Sequence, residues 1–393
     1  MEYFDVVVIG GGGTGAATAY DLALRGLSVL LFERGELTSG TTGRHHGQLH
    51  SGARYALGDP HIAQECMAET RILRRIAPDA IEYNQGIFLA IDDEDAALTN
   101  NFIAACREAD IPATEIPIHR ALELERRINP AAKRAVLVPD GTIDAYRLAM
   151  RFFSSAVARG AVIRNFTEVI DIEQSDGSVQ GVRVRQLRTG VEQRYACRAI
   201  VNAAGPWADK VAALAQQDVP LIAAAGTMVA VEGRLTNMVI SRLRRPGDGD
   251  IIVPQRRLSI IGSTLRKVDN PDGLQPEAEE IAFLLACADE LIPDFSKQPY
   301  RAAWTAARPL AGKPEAGQSS ANGREMSRDI SVIDHGKTGS LKGFFSILGG
   351  KATTLRIMGE LVSDQVAQYL SIDEPSRTAL FELYPYDYYW RLS

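Results

Sequence analysis

The chain has 393 residues, 46% hydrophobic and 23% charged, which exceeds what one hydrophobic core usually sustains and predicts two domains. A net charge of −6 gives no basic stripe for nucleic acid, so an anionic ligand must be met by local arginines. The four cysteines (Cys66, Cys106, Cys197, Cys287) form no C-x-x-C pair, which excludes a recognisable iron–sulfur or zinc framework and fits unpaired thiols in a reducing compartment.

The first apolar run, FDVVVIG at 4–10, reads as a parallel strand buried on both faces. Because that run is a strand, no secretory signal is expected, and no segment approaches the roughly 20 apolar residues that span a bilayer. The expectation is a cytoplasmic protein, at most peripheral on the inner face of the membrane. The strand runs into Gly10-Gly11-Gly12-Gly13-Thr14-Gly15, with Gly10, Gly12 and Gly15 in the G-x-G-x-x-G register. Gly10 suits a tight turn, Gly12 a close approach of backbone to pyrophosphate, and Gly15 close packing of helix on strand. A helical pattern from Ala16 stops at Gly26, and its N-terminus offers N–H groups to phosphate. A second strand, 28–32, ends at Glu33, eighteen residues past Gly15, where a carboxylate can accept ribose hydroxyls. A dinucleotide is predicted on this unit.

Residues 34–57, RGELTSGTTGRHHGQLHSGARYAL, form a long polar segment directly after that unit and read as part of a site. They carry His45, His46, His50, Arg44 and Arg54. A metal is not predicted there, because no supporting carboxylates lie nearby in sequence. Helical spacing covers 62–76 and the segment NFIAACREADI, with a strand at EYNQGIFLAIDD between them. The charges at 120–127 and 133–134 read as a solvated face.

Short strands at 135–139 and 142–143 precede an amphipathic helix at 145–159. Strands and hairpins follow through 161–187, with turns at Asp176-Gly177 and Thr189-Gly190. RAIVNAAGPWADKVA then repeats the opening logic of buried strand, Ala203-Ala204-Gly205 turn and helix, which implies a discontinuous nucleotide domain. From Pro220 to Arg324 the pattern is mostly sheet with one long helix at 277–292, and Arg308 precedes Pro309 in an extended context. Gly349-Gly350-Lys351 opens another helix and makes a second anion-friendly N-terminus. The last stretch, Pro375 to Ser393, holds four tyrosines and Trp390, suited either to packing on its own core or to docking a partner.

Four segments, VVVIGGGGTG, TTGRHHGQLHSGARYAL, AIVNAAGPWAD and the ARPLAG…SRDISVIDH…SILGGKATTLR run, resemble the FAD-dependent glycerol-3-phosphate dehydrogenases of the D-amino-acid-oxidase-like superfamily. The resemblance covers nearly the whole chain up to about Leu370. GRHHGQLHSGARY is particularly similar to the catalytic A subunit of the anaerobic bacterial enzyme. Two features depart from the pattern. The cysteine-rich C-terminal extension of that catalytic chain is replaced by an aromatic tail, and Met228 stands where the aerobic enzymes show a histidine.

The resemblance implies an α/β fold with an α+β substrate domain: a discontinuous, Rossmann-like FAD-binding domain at 1–75, 142–219 and 325–371. A mixed-sheet substrate domain would occupy 76–141 and 220–324, followed by the tail at 372–393. FAD would lie extended, its adenosine at Glu33 and Arg34 and its pyrophosphate on Gly10, Gly12, Gly13, Thr14 and Gly15. Thr41, Thr42, Gly43, His45, His46 and Gly47 would meet the flavin from one side. Gly349, Gly350, Lys351, Ala352 and Thr353 would meet it from the other. Val169, Ala204, Gly205 and Trp207 complete the implied cofactor set.

The same resemblance implies oxidation of a secondary alcohol by hydride transfer to flavin N5, with sn-glycerol 3-phosphate as substrate and dihydroxyacetone phosphate as product. Arg54, Tyr55, Arg328 and Lys351 would bind the phosphorylated polyol, because forked, permanently charged donors suit a phosphate dianion. Arg308 would lie nearer the reacting hydroxyl. His50 is the candidate base, or orients the ring instead. His61, His119 and His335 read as structural. Electrons would pass to a quinone or a partner subunit, with the tail as a docking candidate. Alternatives are a related flavin enzyme of a 2-hydroxy acid or amine, and a flavin-binding subunit with little activity alone.

Overall fold

The computed structural model describes residues 2–312 and 329–392. Strand Glu2–Ile9 sits inside an eight-stranded sheet, flanked in parallel by Val29–Phe32 and Glu192–Asn202. Its side chains alternate between two cores. Val6 and Val8 join one apolar cluster, Val7 and Ile9 the other, so the continuous apolar run is explained by burial on both faces.

Strand Glu192–Asn202 changes partners along its length. Its first half pairs antiparallel with Ser178–Gln186, and its last residues pair parallel with Phe344–Leu348 (Ile200 opposite Phe344). Thus the strand before Ala203-Ala204-Gly205 and the strand before Gly349-Gly350 end beside the first glycine turn. The Thr167–Ser175 and Ser178–Gln186 hairpin closes at Asp176 and Gly177, with φ of 51° and 69°, the double left-handed turn that tightens such a pair. The short strand Val162–Arg164, which the sequence runs straight into this hairpin, lies instead at the opposite edge beside Val29–Phe32.

Helix Gly13–Leu24 packs on this sheet together with Ala145–Ala158 and Leu355–Leu370. Gly359 sits where a Cβ would come within 2.8 Å of the Ala17 Cβ, so the first and last of these helices approach almost backbone to backbone. A nine-stranded sheet forms the other layer. Its long strand Leu221–Glu232 pairs with Tyr300–Ala311 at the sheet's edge and with Leu258–Gly262 on the other side. Helix Ala278–Leu291 covers it through Leu284, Ala288 and Leu291.

The tail packs inward at several points. The Leu383 N–H donates to Ile76 O at 2.8 Å, the Tyr384 N–H to Ser155 Oγ at 2.9 Å, and the Tyr389 ring lies 6.3 Å from Phe153. Leu380 and Trp390 face outward, 67% and 56% exposed. No described helix is long and apolar enough to cross a membrane.

Candidate active site

One cavity of about 1040 Å³ runs between the two sheets, and most of the residues singled out in the sequence line it. At one end the first strand stops at Gly10, whose φ of 115° and contact with Ala203 tolerate no side chain. A Cβ there would stand 2.5 Å from the Ala203 oxygen. Gly12, Gly13 and Thr14 form the floor at the helix N-terminus. The Gly13 N–H donates to Thr42 Oγ1 at 2.9 Å, which ties the glycine turn to the polar segment.

Glu33 stands at the tip of the second strand, oriented by the N–H groups of Gly11 (2.7 Å) and Gly35 (2.6 Å). A carboxylate has about four acceptor positions, so two backbone donors leave capacity for ligand hydroxyls. Beside it the Arg34 guanidinium stacks 4.5 Å over Trp207. Arg34, Trp207 and Lys210 converge on the Asp272 carboxylate at 2.8, 2.8 and 3.1 Å. These three donors hold the Asp272 carboxyl below its usual range, although burial alone would raise it.

Val169, Ala204, Gly205, Trp207, Gly349, Gly350, Lys351, Ala352, Thr41, His45 and His46 also face the cavity. Four of the predicted cofactor residues do not. Gly15 lies behind the floor, where a Cβ would meet the Gly10 oxygen at 1.9 Å, so its part is helix-on-strand packing. Gly43 is pressed against the Thr38 oxygen, and Gly47 has φ 84° under the Gln255 amide. Thr353 is fully buried and accepts the His50 N–H at 3.0 Å. Arg328 lies outside the described residues.

Three histidine rings form a chain along the wall: His45 to His46 at 6.4 Å, His46 to His50 at 6.2 Å, then His50 to Tyr55 at 5.6 Å. His45 Nδ1 accepts the Gly47 N–H at 2.9 Å and His46 Nδ1 accepts the Gln48 N–H at 3.2 Å. Both neutral rings therefore carry their proton on Nε2. Burial pushes His45 down to about 4. Burial, with His45, Arg308 and Arg54 nearby, pushes His46 down to about 3. Both are neutral donors near pH 7. His45 Nε2 is buried with no hydrogen-bond partner among the described residues, a donor that asks for a ligand acceptor.

The cationic end has the same character. Lys351 Nζ is buried without a hydrogen-bond partner among the described residues, 4.8 Å over the Tyr55 ring. Arg54 Nη1 is likewise buried and unpartnered, while its Nη2 is held by Asp250 at 2.9 Å and by the Gly247 oxygen at 2.8 Å. Arg308 donates to Ser263 Oγ and to the Thr264 oxygen, and Gly226 leaves room for its guanidinium, where a Cβ would come to 2.6 Å. Met228 is buried against the same wall. Among the described residues, no group of three metal-ligating side chains is assembled.

The sequence left Asp250, Arg244 and the 246–248 loop unremarked. RRPGDGD at 244–250 reads as a charged turn, and its only signal was an aspartate flanked by glycine where Arg54 needed a counter-ion.

An extended dinucleotide fits this cavity: a glycine cradle closed to side chains, an acidic strand tip, and an orphaned imidazole donor farther along. The family of FAD dependent oxidoreductases (DAO) matches the chain over residues 5–363. The A subunit of the anaerobic glycerol-3-phosphate dehydrogenase of Escherichia coli is 40% identical over 377 residues, covering 95% of this chain and 69% of that protein. The A1 subunit of the Haloferax volcanii enzyme is 38% identical over 384 residues, covering 95% and 65%. The chain thus spans about two thirds of the length of these curated relatives.

Among solved structures, the glycerol-3-phosphate dehydrogenase of Bacillus halodurans complexed with FAD superposes with a TM-score of 0.74 at 25% identity, covering 97% of this chain and 68% of that one. The glycine oxidase of Geobacillus kaustophilus gives 0.76 at 24% identity, covering 98% and 99%, and shares the fold. The glycine cradle, the acidic strand tip and these matches together mean that the chain belongs to the DAO family of FAD-dependent oxidoreductases.

Proposed function

We propose that the chain oxidises sn-glycerol 3-phosphate to dihydroxyacetone phosphate and delivers the electrons to a quinone or a protein acceptor. The observation that carries this reading is a pair of buried cationic donors on one cavity, Arg54 Nη1 and Lys351 Nζ, neither with a hydrogen-bond partner among the described residues. Leaving such groups unsatisfied costs stability, and a phosphate dianion would satisfy both with charge-assisted hydrogen bonds. The names of the 40% and 38% identical relatives support the same substrate.

FAD, when bound, supplies the hydride acceptor. Everything else falls to the chain. Gly10, Gly12, Gly13 and Thr14 hold the pyrophosphate and Glu33 the ribose. Arg54, Tyr55 and Lys351 hold the phosphate, with Arg328 as the further arginine implied by the resemblance. Arg308 stabilises developing negative charge on the reacting oxygen. His50 takes the hydroxyl proton or orients the substrate, and neutral His45 and His46 donate through Nε2 without adding charge. The two sheets support the division into an FAD-binding domain (1–75, 142–219, 325–371) and a substrate domain (76–141, 220–324). The outward face of the tail, with Leu380 and Trp390, is the proposed surface for the acceptor. Four free cysteines, three of them buried, support a cytoplasmic location or one at the inner face of a membrane.

The test is the visible flavin band of the FAD-loaded protein under anaerobic addition of glycerol 3-phosphate, with a 2-hydroxy acid and an amine as controls. Bleaching by glycerol 3-phosphate alone is expected. Bleaching only by a control, or by none, overturns the assignment.

A further inference from the structure

We propose that Asp250 and Arg244 position Arg54, so that one arm of its guanidinium is fixed and the other stays available, with net positive charge, for the substrate's phosphate. This rests on the phosphorylated-substrate reading above.

The side chain of Asp250 is fully buried and that of Arg54 is 8% exposed. One carboxylate oxygen of Asp250 accepts from Arg244 Nε at 2.7 Å and is ion-paired with Arg244 Nη2 at 2.5 Å. The other accepts from the Gly247 N–H at 2.5 Å and forms an ion pair with Arg54 Nη2 at 2.9 Å. Arg54 Nη2 donates to the Gly247 oxygen at 2.8 Å and is ion-paired with Asp250 at 2.9 Å, so this end of the guanidinium is engaged from two sides. The Nη1 hydrogens are left, on a buried atom with no partner among the described residues. A rigid planar fork held along one edge cannot swing, so the free edge is pre-organised.

Charge decides why a second arginine is needed. Arg54 paired with Asp250 alone would be a neutral unit with little hold on an anion. Arg244 on the other carboxylate oxygen leaves the trio at +1. Arg244 does not line the cavity and is 31% exposed, so its influence on the ligand runs through Asp250. It is a positioning residue, as is Asp250.

The FAD-loaded protein tests this with Arg244→Gln and Asp250→Asn, alone and combined with Arg54→Ala. Steady-state constants for glycerol 3-phosphate and the dissociation constant of inorganic phosphate, read from perturbation of the flavin spectrum, are both measured. Asp250→Asn should raise both KM and the phosphate constant about tenfold to a hundredfold, and Arg244→Gln about threefold to tenfold. The turnover number should change far less, and flavin content should hold. In the Arg54→Ala background neither change should raise KM further, because both act through Arg54. Equal effects with and without Arg54, or an unchanged phosphate constant in both single variants, overturn the proposal. Arg244→Gln carries the test if Asp250→Asn does not fold. If phosphate binding responds as expected but glycerol 3-phosphate never bleaches the flavin, the positioning stands and the substrate assignment falls.

Discussion

The backbone N–H of His50 donates to the hydroxyl of Thr353 at 3.0 Å, joining two segments 303 residues apart. The Thr70 hydroxyl donates to the His50 oxygen at 2.8 Å, so the backbone of this residue is clamped on both sides. The wall carrying His45, His46 and His50 is thereby fastened to the glycine turn that carries Lys351. Thr353→Val keeps the shape and removes the acceptor. It should cost about 1–3 kcal/mol, the penalty for a buried N–H left unmade, measured by urea unfolding. Flavin reduction by substrate should slow more than KM changes, since the altered part is the alignment of His50. An unchanged unfolding midpoint would show that the clamp is not used.

How much of this is legible in the sequence differs from one end of the cavity to the other. Gly10, Gly12 and Glu33 can be read because a tight turn, a close approach and a strand-tip acid leave local marks at fixed spacing. Thr353 reads as a cofactor contact, and its position behind the wall depends on a partner 303 residues away, which no local pattern records. The Asp250 cluster escapes a sequence reading for the same reason. Its meaning lies in Arg54, which reaches it from another layer, while its own stretch reads as a polar turn. His46 falls on the cavity as expected, but its lack of charge near pH 7 comes from burial and from Arg308 and Arg54, brought together only by the fold.

Lys351 predicts a trade between stability and function. Its buried ammonium has no hydrogen-bond partner among the described residues, and the Tyr55 face 4.8 Å away offsets only about 0.5–2 kcal/mol of that cost. Lys351→Met fills the same volume without the charge. The cofactor-free protein should therefore gain about 1 kcal/mol in urea unfolding. The KM for glycerol 3-phosphate should rise at least about tenfold in the loaded enzyme. A loss of stability would mean that the ammonium has a structural partner.

The pair Arg356 and Glu69 locks helix Leu355–Leu370 to helix Pro60–Ile76. Two hydrogen bonds of 2.9 and 2.5 Å join side chains only 3% and 4% exposed, and Arg356 also reaches Glu360 and, at 3.0 Å, the Thr378 hydroxyl of the tail. Burial pushes the Glu69 carboxyl up, and Arg356 opposes that shift. Removing one partner strands the other charge, so Arg356→Ala should cost about 3–5 kcal/mol in urea unfolding. It should also expose the chain near Thr378 to limited proteolysis before global unfolding. A cost below about 1 kcal/mol would place this pair with ordinary surface bridges.

The histidines give the stability a direction in pH. An ordinary histidine titrates at 6.5, whereas folding holds His45 down to about 4 and His46 to about 3. Between those values the unfolded chain binds protons that the folded chain refuses. Their contribution is fully present above pH 6.5 and is lost as pH falls toward 4, at about 1 kcal/mol per pH unit for each ring. Asp21 runs the other way. Burial raises it to about 6, so its carboxyl favours the folded state as pH falls below 6, and the total profile mixes both signs. Comparison with the His45→Gln, His46→Gln double variant isolates the rings. From about pH 7 to about pH 4.5 the unfolding free energy of the cofactor-free protein should fall more steeply in the parent than in the variant. Parallel profiles would mean that both rings accept protons as freely in the folded chain as in the unfolded one.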